Sequence, residues 1–181
     1  MKLRASILDV ETTGLDNRLD EVVELGIVLF EFDRFTGEVF GAVDEYCGLR
    51  DPGCPIPPGA MQAHGISDAD VRGQRLDDDK VRSLLGRSTL LIAHNAKFDR
   101  GFIERLYPES RRMSWLCSME GVPWRRKGYP SRSLQNLLRA HNFDAEAAHR
   151  ALDDARNTLR LLSHSQSDGR TYLADLLAGL R

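Results

Sequence analysis

Acidic residues that directly follow buried segments constrain the fold of this chain more than any other feature of its sequence. The apolar run Ser6–Val10 is typical of a buried strand, and it carries Asp9, with Glu11 two residues later and Gly14 as a breaker. Residues two apart on a strand point to the same face, so both carboxylates emerge side by side from a face that otherwise packs. Such a pair is costly without a cation, although a solvated strand end is the alternative interpretation.

A further acid, Asp99, follows a second segment of this kind. Residues 89–93 predict a strand, residues 94–95 a turn, and the apolar spacing from Phe98 to Leu106 a helix. Asp99 then lies in the first turn of this helix. A carboxylate is favourable there simply as a partner for the helix dipole, so Asp99 taken alone does not require a metal site.

The third acidic segment contains a histidine and two adjacent aspartates. We predict that His149 begins a helix with an apolar stripe from Leu152 to Leu162. Asp153 and Asp154 face different directions on that helix, so only one of them can join the other carboxylates, and the spacing does not choose between them. The unperturbed pKa of a histidine suits a general base, but an isolated histidine is also common as a helix cap or a surface residue.

Taken together, these side chains predict a site for phosphodiester hydrolysis. The reaction requires neutralisation of charge at an anionic phosphorus and a strong nucleophile at neutral pH, and two hard divalent cations held by carboxylates supply both. The candidate residues are Asp9, Glu11, Asp99, one of the pair Asp153 and Asp154, and His149 as proton acceptor. This interpretation is wrong only if each of the three segments has its alternative, non-catalytic explanation at the same time.

The three segments resemble the motifs of the DEDDh exonucleases of the DnaQ-like group, whose best-known member is the epsilon proofreading subunit of bacterial DNA polymerase III. The sequence DVETTG at residues 9–14 resembles the first motif, HNAKFD at 94–99 the second, and HRALDD at 149–154 the third. The third motif favours Asp154 over Asp153. The resemblance covers residues 3–162, and three motifs in the correct order are far more specific than any single match.

The resemblance implies a fold and an activity. The fold would be α/β and ribonuclease H-like, with a mixed five-stranded sheet flanked by helices. The activity would be 3′→5′ exonucleolytic release of nucleoside 5′-monophosphates from single-stranded or frayed 3′ ends. Two Mg²⁺ or Mn²⁺ ions would be held by Asp9, Glu11, Asp99 and Asp154, and His149 would orient and deprotonate the attacking water.

The resemblance also implies a pocket for the terminal nucleotide. Its residues would be Thr12, Thr13, Gly14, Leu15, His64, Asn95 and Phe98. Leu15 would act as a wedge, and His64 follows a proline-rich segment, residues 55–58, that resembles the linking segment of the family. Many members carry a glutamate five residues before this histidine, where this chain has Gly59. The departure affects one substrate contact and not the chemistry.

The motifs do not separate DNA from RNA, because a 2′-OH is sensed by local pocket geometry. Their spelling favours DNA, in proofreading or repair, and RNA trimming or oligoribonucleotide degradation is the alternative. A binding module without catalysis is disfavoured because no metal carboxylate is missing. The expected partners are a nucleic acid with a free 3′ end, a polymerase or other replication or repair protein, and a second copy of the chain in a homodimer.

Length and composition fit a single exonuclease domain over residues 1–181. A chain of 181 residues with 41% hydrophobic content can bury one sizeable core. Cys47, Cys54 and Cys117 are odd in number and lack close spacing, which indicates free thiols and a cytoplasmic protein. The first apolar run stops at Asp9, too early for a signal peptide or a membrane span.

The net charge of −2 hides an uneven distribution. Residues 100–160 contain 12 Lys and Arg against 7 Asp and Glu. Trp115, Trp124 and Tyr129 lie among these basic residues, so the segment predicts either a surface that binds phosphates and stacks bases or a solvated loop with core tryptophans.

The coarse order of elements is three strands, an irregular link, a helix, a strand, a helix, a strand and two helices, with a further helical pattern after Thr171. The three consecutive aspartates at residues 77–79 indicate a solvated helix start and not a metal site.

Overall fold

The computed structural model describes residues 1–143 and 150–180. Its five strands form one mixed sheet in the spatial order β3-β2-β1-β4-β5. The strands are β1 (Lys2–Thr12), β2 (Val22–Asp33), β3 (Val39–Leu49), β4 (Leu90–Ala93) and β5 (Ser114–Cys117). The first three form an antiparallel meander, and β4 and β5 run parallel to β1. The predicted mixed five-stranded sheet is confirmed.

Eight α-helices lie within the described residues, besides two short 3-10 helices at Pro108–Arg112 and Trp124–Lys127. The α-helices are α1 (Pro58–His64), α2 (Asp68–Val71), α3 (Asp78–Gly86), α4 (Ala96–Leu106), α5 (Ser118–Gly121), α6 (Leu134–Ala140), α7 (Ala151–Ser163) and α8 (Tyr172–Ala178). The sequence predicted one helix between β3 and β4, and the structure has three. Helix α2 spans only four residues, too few to show an apolar period, and α1 buries none of its residues except His64, so it has no apolar stripe. None of the helices within residues 1–143 and 150–180 has the length and apolar character needed to cross a membrane.

The aspartates at residues 77–79 start α3, as predicted. The Asp77 side chain accepts a hydrogen bond from the backbone N–H of Lys80 at 2.9 Å, and all three aspartates are exposed. An N-cap of this kind satisfies a backbone donor that the helix leaves unpaired.

The side chains of β1 alternate between two cores, one on each face of the sheet. Ala5 and Ile7 pack in a core with residues of α6, α7 and α8, whereas Leu8 and Val10 pack with residues of α3 and α4. Asp9 and Glu11 continue the alternation of Ala5 and Ile7, so they face the side of the sheet that α7 covers.

Helix α7 comes very close to the sheet at Gly26 of β2. A Cβ atom at this position would lie 2.3 Å from the carbonyl carbon of Ala151 and 2.3 Å from the nitrogen of Leu152. Gly26 is also the partner of Asp9 in the pairing of β1 with β2. The missing side chain therefore lets the first turn of α7 rest on the sheet backbone beside Asp9.

Candidate active site

Carboxylates from a strand and a helix converge beside the sheet. Asp9 and Glu11 of β1 and Asp154 of α7 each offer an oxygen, and these oxygens all lie within 4.8 Å of one another. Asp154 is buried, with 8% of its surface exposed, and the other two are half-buried. Hard oxygen donors at this spacing are the ligands that Mg²⁺ and similar cations take.

Asp99, which lies on α4, contacts β1, the strand that carries Asp9 and Glu11. It is 3% exposed, and its Oδ1 accepts a hydrogen bond at 3.2 Å from the backbone N–H of Val10, the residue between Asp9 and Glu11. Burial raises the pKa of Asp99 to about 7, the charge of Asp154 raises it as well, and the hydrogen bond from Val10 opposes this rise. Asp99, the fourth predicted acid, therefore interacts electrostatically with the other carboxylates.

The acids of this cluster disfavour each other's ionisation. Burial raises the pKa of Glu11 to about 8, with further contributions from the charges of Asp154, Glu24 and Asp99. Burial also holds the pKa of Asp9 well above its usual range, and the charges of Asp99 and Asp154 add to this effect. A bound divalent cation would stabilise the ionised forms, so this donor set fits the divalent metal ions that exonucleases generally use.

Asp153 and Asp154, which the sequence spacing did not separate, have different surroundings. Asp153 is half-buried and forms an ion pair with Arg156 at 3.3 Å on its own helix. Asp154 joins Asp9 and Glu11, and the Nε2 of Gln135 donates a hydrogen bond to its Oδ1 at 3.2 Å. The structure therefore brings Asp154 and not Asp153 into the acidic cluster.

Two residues at the site were missed by the sequence analysis. Gln135 of α6 contacts Asp154, and no motif or spacing pointed to it. Glu24 of β2 is fully buried, and it accepts hydrogen bonds from Arg150 and from the backbone N–H of Ala151. A sequence signal for Glu24 existed, because it is the one charge in the apolar run from Val22 to Phe30.

The predicted general base, His149, lies outside the described residues, as does the prediction that it begins a helix. Its neighbour Arg150 is described and stands at the N-cap of α7. The role of His149 stays a prediction.

Hydrogen bonds from threonine side chains stabilise the loop that follows β1. Thr12 and Thr13 are buried, with the Thr12 hydroxyl donating to the carbonyl of Gly14 at 2.6 Å. The Thr13 hydroxyl accepts a hydrogen bond from the backbone N–H of Glu21 at 3.0 Å. Leu15, by contrast, is 86% exposed. The threonines thus shape the loop, and the loop presents an apolar side chain to solvent.

The other predicted pocket residues lie on separate elements. His64 ends α1 and is buried, and its Nδ1 accepts a hydrogen bond from the backbone N–H of Ile66 at 3.0 Å. Asn95 is exposed at the start of α4, and Phe98 is half-buried with its ring centroid 5.1 Å from that of Phe102. Their roles in binding a nucleotide stay predictions.

Gly59, the position that departs from the family pattern, is exposed in the first turn of α1. A Cβ atom there would meet nothing within 4 Å. The missing glutamate is therefore not a consequence of packing.

The aromatic residues of the basic segment are mostly part of the core. Trp124 is 1% exposed, and its Nε1 donates to the carbonyl of Ser118 at 2.8 Å. Tyr129 is half-buried, with its hydroxyl 2.9 Å from that of Tyr172. Trp124 is therefore a core tryptophan, as the alternative interpretation held, whereas Tyr129 and Trp115 are half-buried.

The fold and the acidic cluster fit an exonuclease, and comparison with known families identifies the family. The exonuclease family model RNase_T matches residues 6–162, and the chain belongs to that family. This finding confirms the predicted family and the predicted enzyme class.

Individual relatives and a solved structure agree with this assignment. The chain is 31% identical over 176 residues to a protein named DNA polymerase III subunit epsilon from Treponema pallidum, a match that covers 89% of this chain and 78% of the relative. It is 30% identical over 188 residues to a protein named DNA polymerase III PolC-type from Thermotoga petrophila, covering 94% of this chain but only 13% of the relative.

The structure is also similar to that of E. coli exonuclease I in complex with a dT13 oligonucleotide. The TM-score is 0.69 at 20% identity, over 89% of this chain and 40% of the other. At this level of identity the similarity concerns the fold, and the predicted ribonuclease H-like class is confirmed.

Proposed function

We propose that this chain is a metal-dependent exonuclease that works 3′→5′ and releases nucleoside 5′-monophosphates from single-stranded or frayed 3′ ends of DNA. One observation carries the proposal, namely the convergence of Asp9, Glu11 and Asp154 within 4.8 Å, with Asp99 hydrogen-bonded to the same strand. Buried carboxylates with raised pKa values resist ionisation, and a bound cation would compensate the charge of their ionised forms.

In this proposal Asp9, Glu11, Asp99 and Asp154 hold two Mg²⁺ or Mn²⁺ ions. When bound, the ions would supply an activated water and stabilise the leaving 3′ oxygen. Gln135 keeps the Asp154 carboxylate oriented through its hydrogen bond at 3.2 Å. His149 orients the attacking water and accepts its proton, as the third motif implies.

The terminal nucleotide would lie against the loop after β1. Residues of this loop are held by the hydrogen bond from the backbone N–H of Asp16 to the Asp20 side chain at 2.8 Å and by a bond from Arg105 to the carbonyl of Asp20. Leu15 is an exposed apolar side chain on a loop held by these hydrogen bonds, so it is suited to separate the last base from its partner. We expect a fully annealed blunt duplex to be a poor substrate because unpairing costs free energy.

The backbone and side chains that would complete the pocket are those of Thr12, Thr13, Gly14, His64, Asn95 and Phe98. Asp9 and Glu11 lie on β1 and Asp154 on α7, and Asn95 and Phe98 lie at the start of α4, the helix that carries Asp99. Because Asn95 and Phe98 lie close to Asp99 at the start of the same helix, we propose that they contact the nucleotide next to the metal site.

DNA is preferred over RNA on the strength of the relatives. Two of them are named as DNA polymerase III proteins, and a structural neighbour is named as a complex with a DNA oligonucleotide. The chain spans only 11–13% of the length of the PolC-type relatives. We therefore also propose, and do not infer from these relatives, that residues 1–181 form a single exonuclease domain. A polymerase partner and a homodimer are proposals as well. RNA trimming is the second candidate function, and cleavage of matched DNA and RNA strands separates the two.

The test uses matched DNA and RNA strands labelled at the 5′ end, each with a free or a phosphorylated 3′ end. Products are resolved by length and by release of mononucleotides, with Mn²⁺ or with EDTA. We expect stepwise shortening of DNA from a free 3′-OH, inhibition by a 3′-phosphate, and no cleavage in EDTA. Faster cleavage of RNA by more than about tenfold, or about 1.4 kcal/mol of transition-state preference, would reverse the substrate assignment. Internal cuts as first products would contradict the exonuclease direction.

The wedge has its own control in the same assay. Leu15→Ala should lower the rate on a frayed duplex more than the rate on a single strand, because only the duplex requires base separation. Leu180→Ala provides a matched change, since Leu180 is also exposed, at 52%, but lies beyond α8. Equal rates for Leu15→Ala and Leu180→Ala on frayed ends would remove the wedge from the proposal.

A further inference from the structure

An ion pair between Glu24 and Arg150 connects the sheet to the first turn of α7, with the carboxylate buried and the arginine side chain 50% exposed. The carboxylate of Glu24 is fully buried, and it accepts hydrogen bonds from the Nε of Arg150 at 3.0 and 3.1 Å and from its Nη2 at 2.5 Å. The backbone N–H of Ala151 donates to the second oxygen of the same carboxylate at 2.8 Å. These four hydrogen bonds, with a fifth from the Sγ of Cys47 at 3.6 Å, compensate the cost of burying the carboxylate and restrict the position of its donors.

The residues held by Glu24 begin the turn that carries a predicted metal ligand. The backbone N–H of Asp154 donates to the carbonyl of Arg150 at 2.9 Å, so both belong to one helical turn. In the sheet, Glu24 is paired with Glu11, and two residues further along, Gly26 leaves room for the backbone of α7. The carboxylate of Glu24 thus connects the strand next to Glu11 with the turn that bears Asp154.

We propose that Glu24, paired with Arg150, fixes the first turn of α7 on β2 and so positions Asp154 for metal binding. Glu24 is then a positioning residue, since it acts on the metal site through the helix. The inference rests on the proposed metal site. It adds a requirement that the acidic motifs do not contain, because a metal ligand on a helix works only if the helix is held at a fixed distance from the strand that bears the others.

A simple electrostatic role is the competing explanation, and it predicts a different sign. The negative charge of Glu24 raises the pKa of Glu11, whereas the positive charge of Arg150 lowers it. If charge alone mattered, removing Glu24 would weaken cation binding and removing Arg150 would strengthen it. If position matters, removing either one weakens cation binding, because either change releases the turn.

The chain offers a matched control on the same helix. Arg156 of α7 forms an ion pair with Glu45 of β3 at 2.5 Å, so this pair also connects the helix to a strand. Its arginine is 50% exposed, as Arg150 is, but its carboxylate is 32% exposed whereas that of Glu24 is buried, and the pair lies beyond the first turn of α7. Glu45→Gln therefore removes a comparable contact without releasing the start of α7.

The experiment measures Mn²⁺ binding to the whole chain by calorimetry, together with kcat and KM for a single-stranded oligonucleotide and the melting temperature. The variants are Glu24→Gln, Arg150→Met, Arg150→Lys and the control Glu45→Gln. We expect the first two to weaken Mn²⁺ binding and to lower kcat, each by about 10- to 100-fold, with KM unchanged. Arg150→Lys should fall between them and the parent, because an ammonium keeps the charge but not the forked geometry. The control should match the parent.

Tighter or unchanged Mn²⁺ binding by Arg150→Met would overturn the proposal in favour of electrostatics, and a raised KM would show that Arg150 contacts the nucleic acid instead. If Arg150→Met does not fold, Arg150→Lys decides, since the electrostatic explanation requires it to equal the parent. Calorimetry needs no turnover, so the two proposals fail separately. A parent that binds Mn²⁺ but releases no mononucleotide contradicts the proposed function alone, and an active parent with insensitive variants contradicts this inference alone.

Discussion

Removing the Glu11 charge should stabilise the metal-free protein above neutral pH. The folded chain raises the pKa of Glu11 from 4.5 to about 8, so the folded state binds this proton more tightly than the unfolded state does. The stability that the proton contributes is complete below about pH 4.5 and is lost as the pH rises to about 8. At about 1.4 kcal/mol for each pH unit between the two pKa values, the loss reaches about 5 kcal/mol.

Glu11→Gln keeps the shape of the side chain and removes this titration. In EDTA we expect the variant and the parent to melt at similar temperatures at pH 4.5, and the variant to melt about 10–20 °C higher at pH 8, given 2–4 °C for each kcal/mol in a chain of this size. Saturating Mg²⁺ should restore the parent at pH 8 and have little effect on Glu11→Gln. Glu38→Gln, an exposed change in the β2–β3 hairpin, serves as control. Identical pH dependence of Glu11→Gln and the parent in EDTA would refute the reasoning.

Three further changes test other parts of the site. Asp154→Asn should lower kcat by about 10³-fold or more with saturating Mn²⁺, while Asp153→Asn should retain activity, and equal losses in a nuclease assay would contradict the separation of the pair. His149→Ala should remove the acidic limb of the pH–rate profile with little effect on nucleotide affinity, and an unchanged rate would assign the base elsewhere. Gly26→Ala should destabilise the chain by about 1–3 kcal/mol in urea unfolding, because its Cβ would overlap the backbone of α7, whereas Gly59→Ala, which has open space, should not.

The sequence predicted the sheet well because its strands are marked by local patterns. The apolar runs around Ile7 and Ile92 and the breaker at Gly14 are signals that a chain carries wherever it folds. The same applies to the face of Asp9 and Glu11, since the two-residue period of a strand decides it. Helices α2 and α5 were not predicted because four residues contain too little of a helical period, and α1 was not predicted because it has no apolar stripe, with only His64 buried.

The parts of the site that depend on the approach of distant elements were not predictable. Spacing alone left Asp153 and Asp154 equivalent, because only the position of α7 on the sheet distinguishes them. Glu24 is buried beside the metal ligands through its pairing with Glu11 and through Arg150, which is 126 residues away in the sequence. Its charge in an apolar run was a visible anomaly, but its partner was set by tertiary packing.

The central claim is that the four acids hold divalent cations at the reaction centre. The most direct measurement is anomalous diffraction from crystals grown with Mn²⁺ and a nucleoside 5′-monophosphate. We predict two anomalous peaks about 3.5–4 Å apart, in contact with the carboxylates of Asp9, Glu11, Asp99 and Asp154 and with the phosphate. Mn²⁺ bound elsewhere on the protein, with none of these four carboxylates in contact with a metal ion, would contradict the claim.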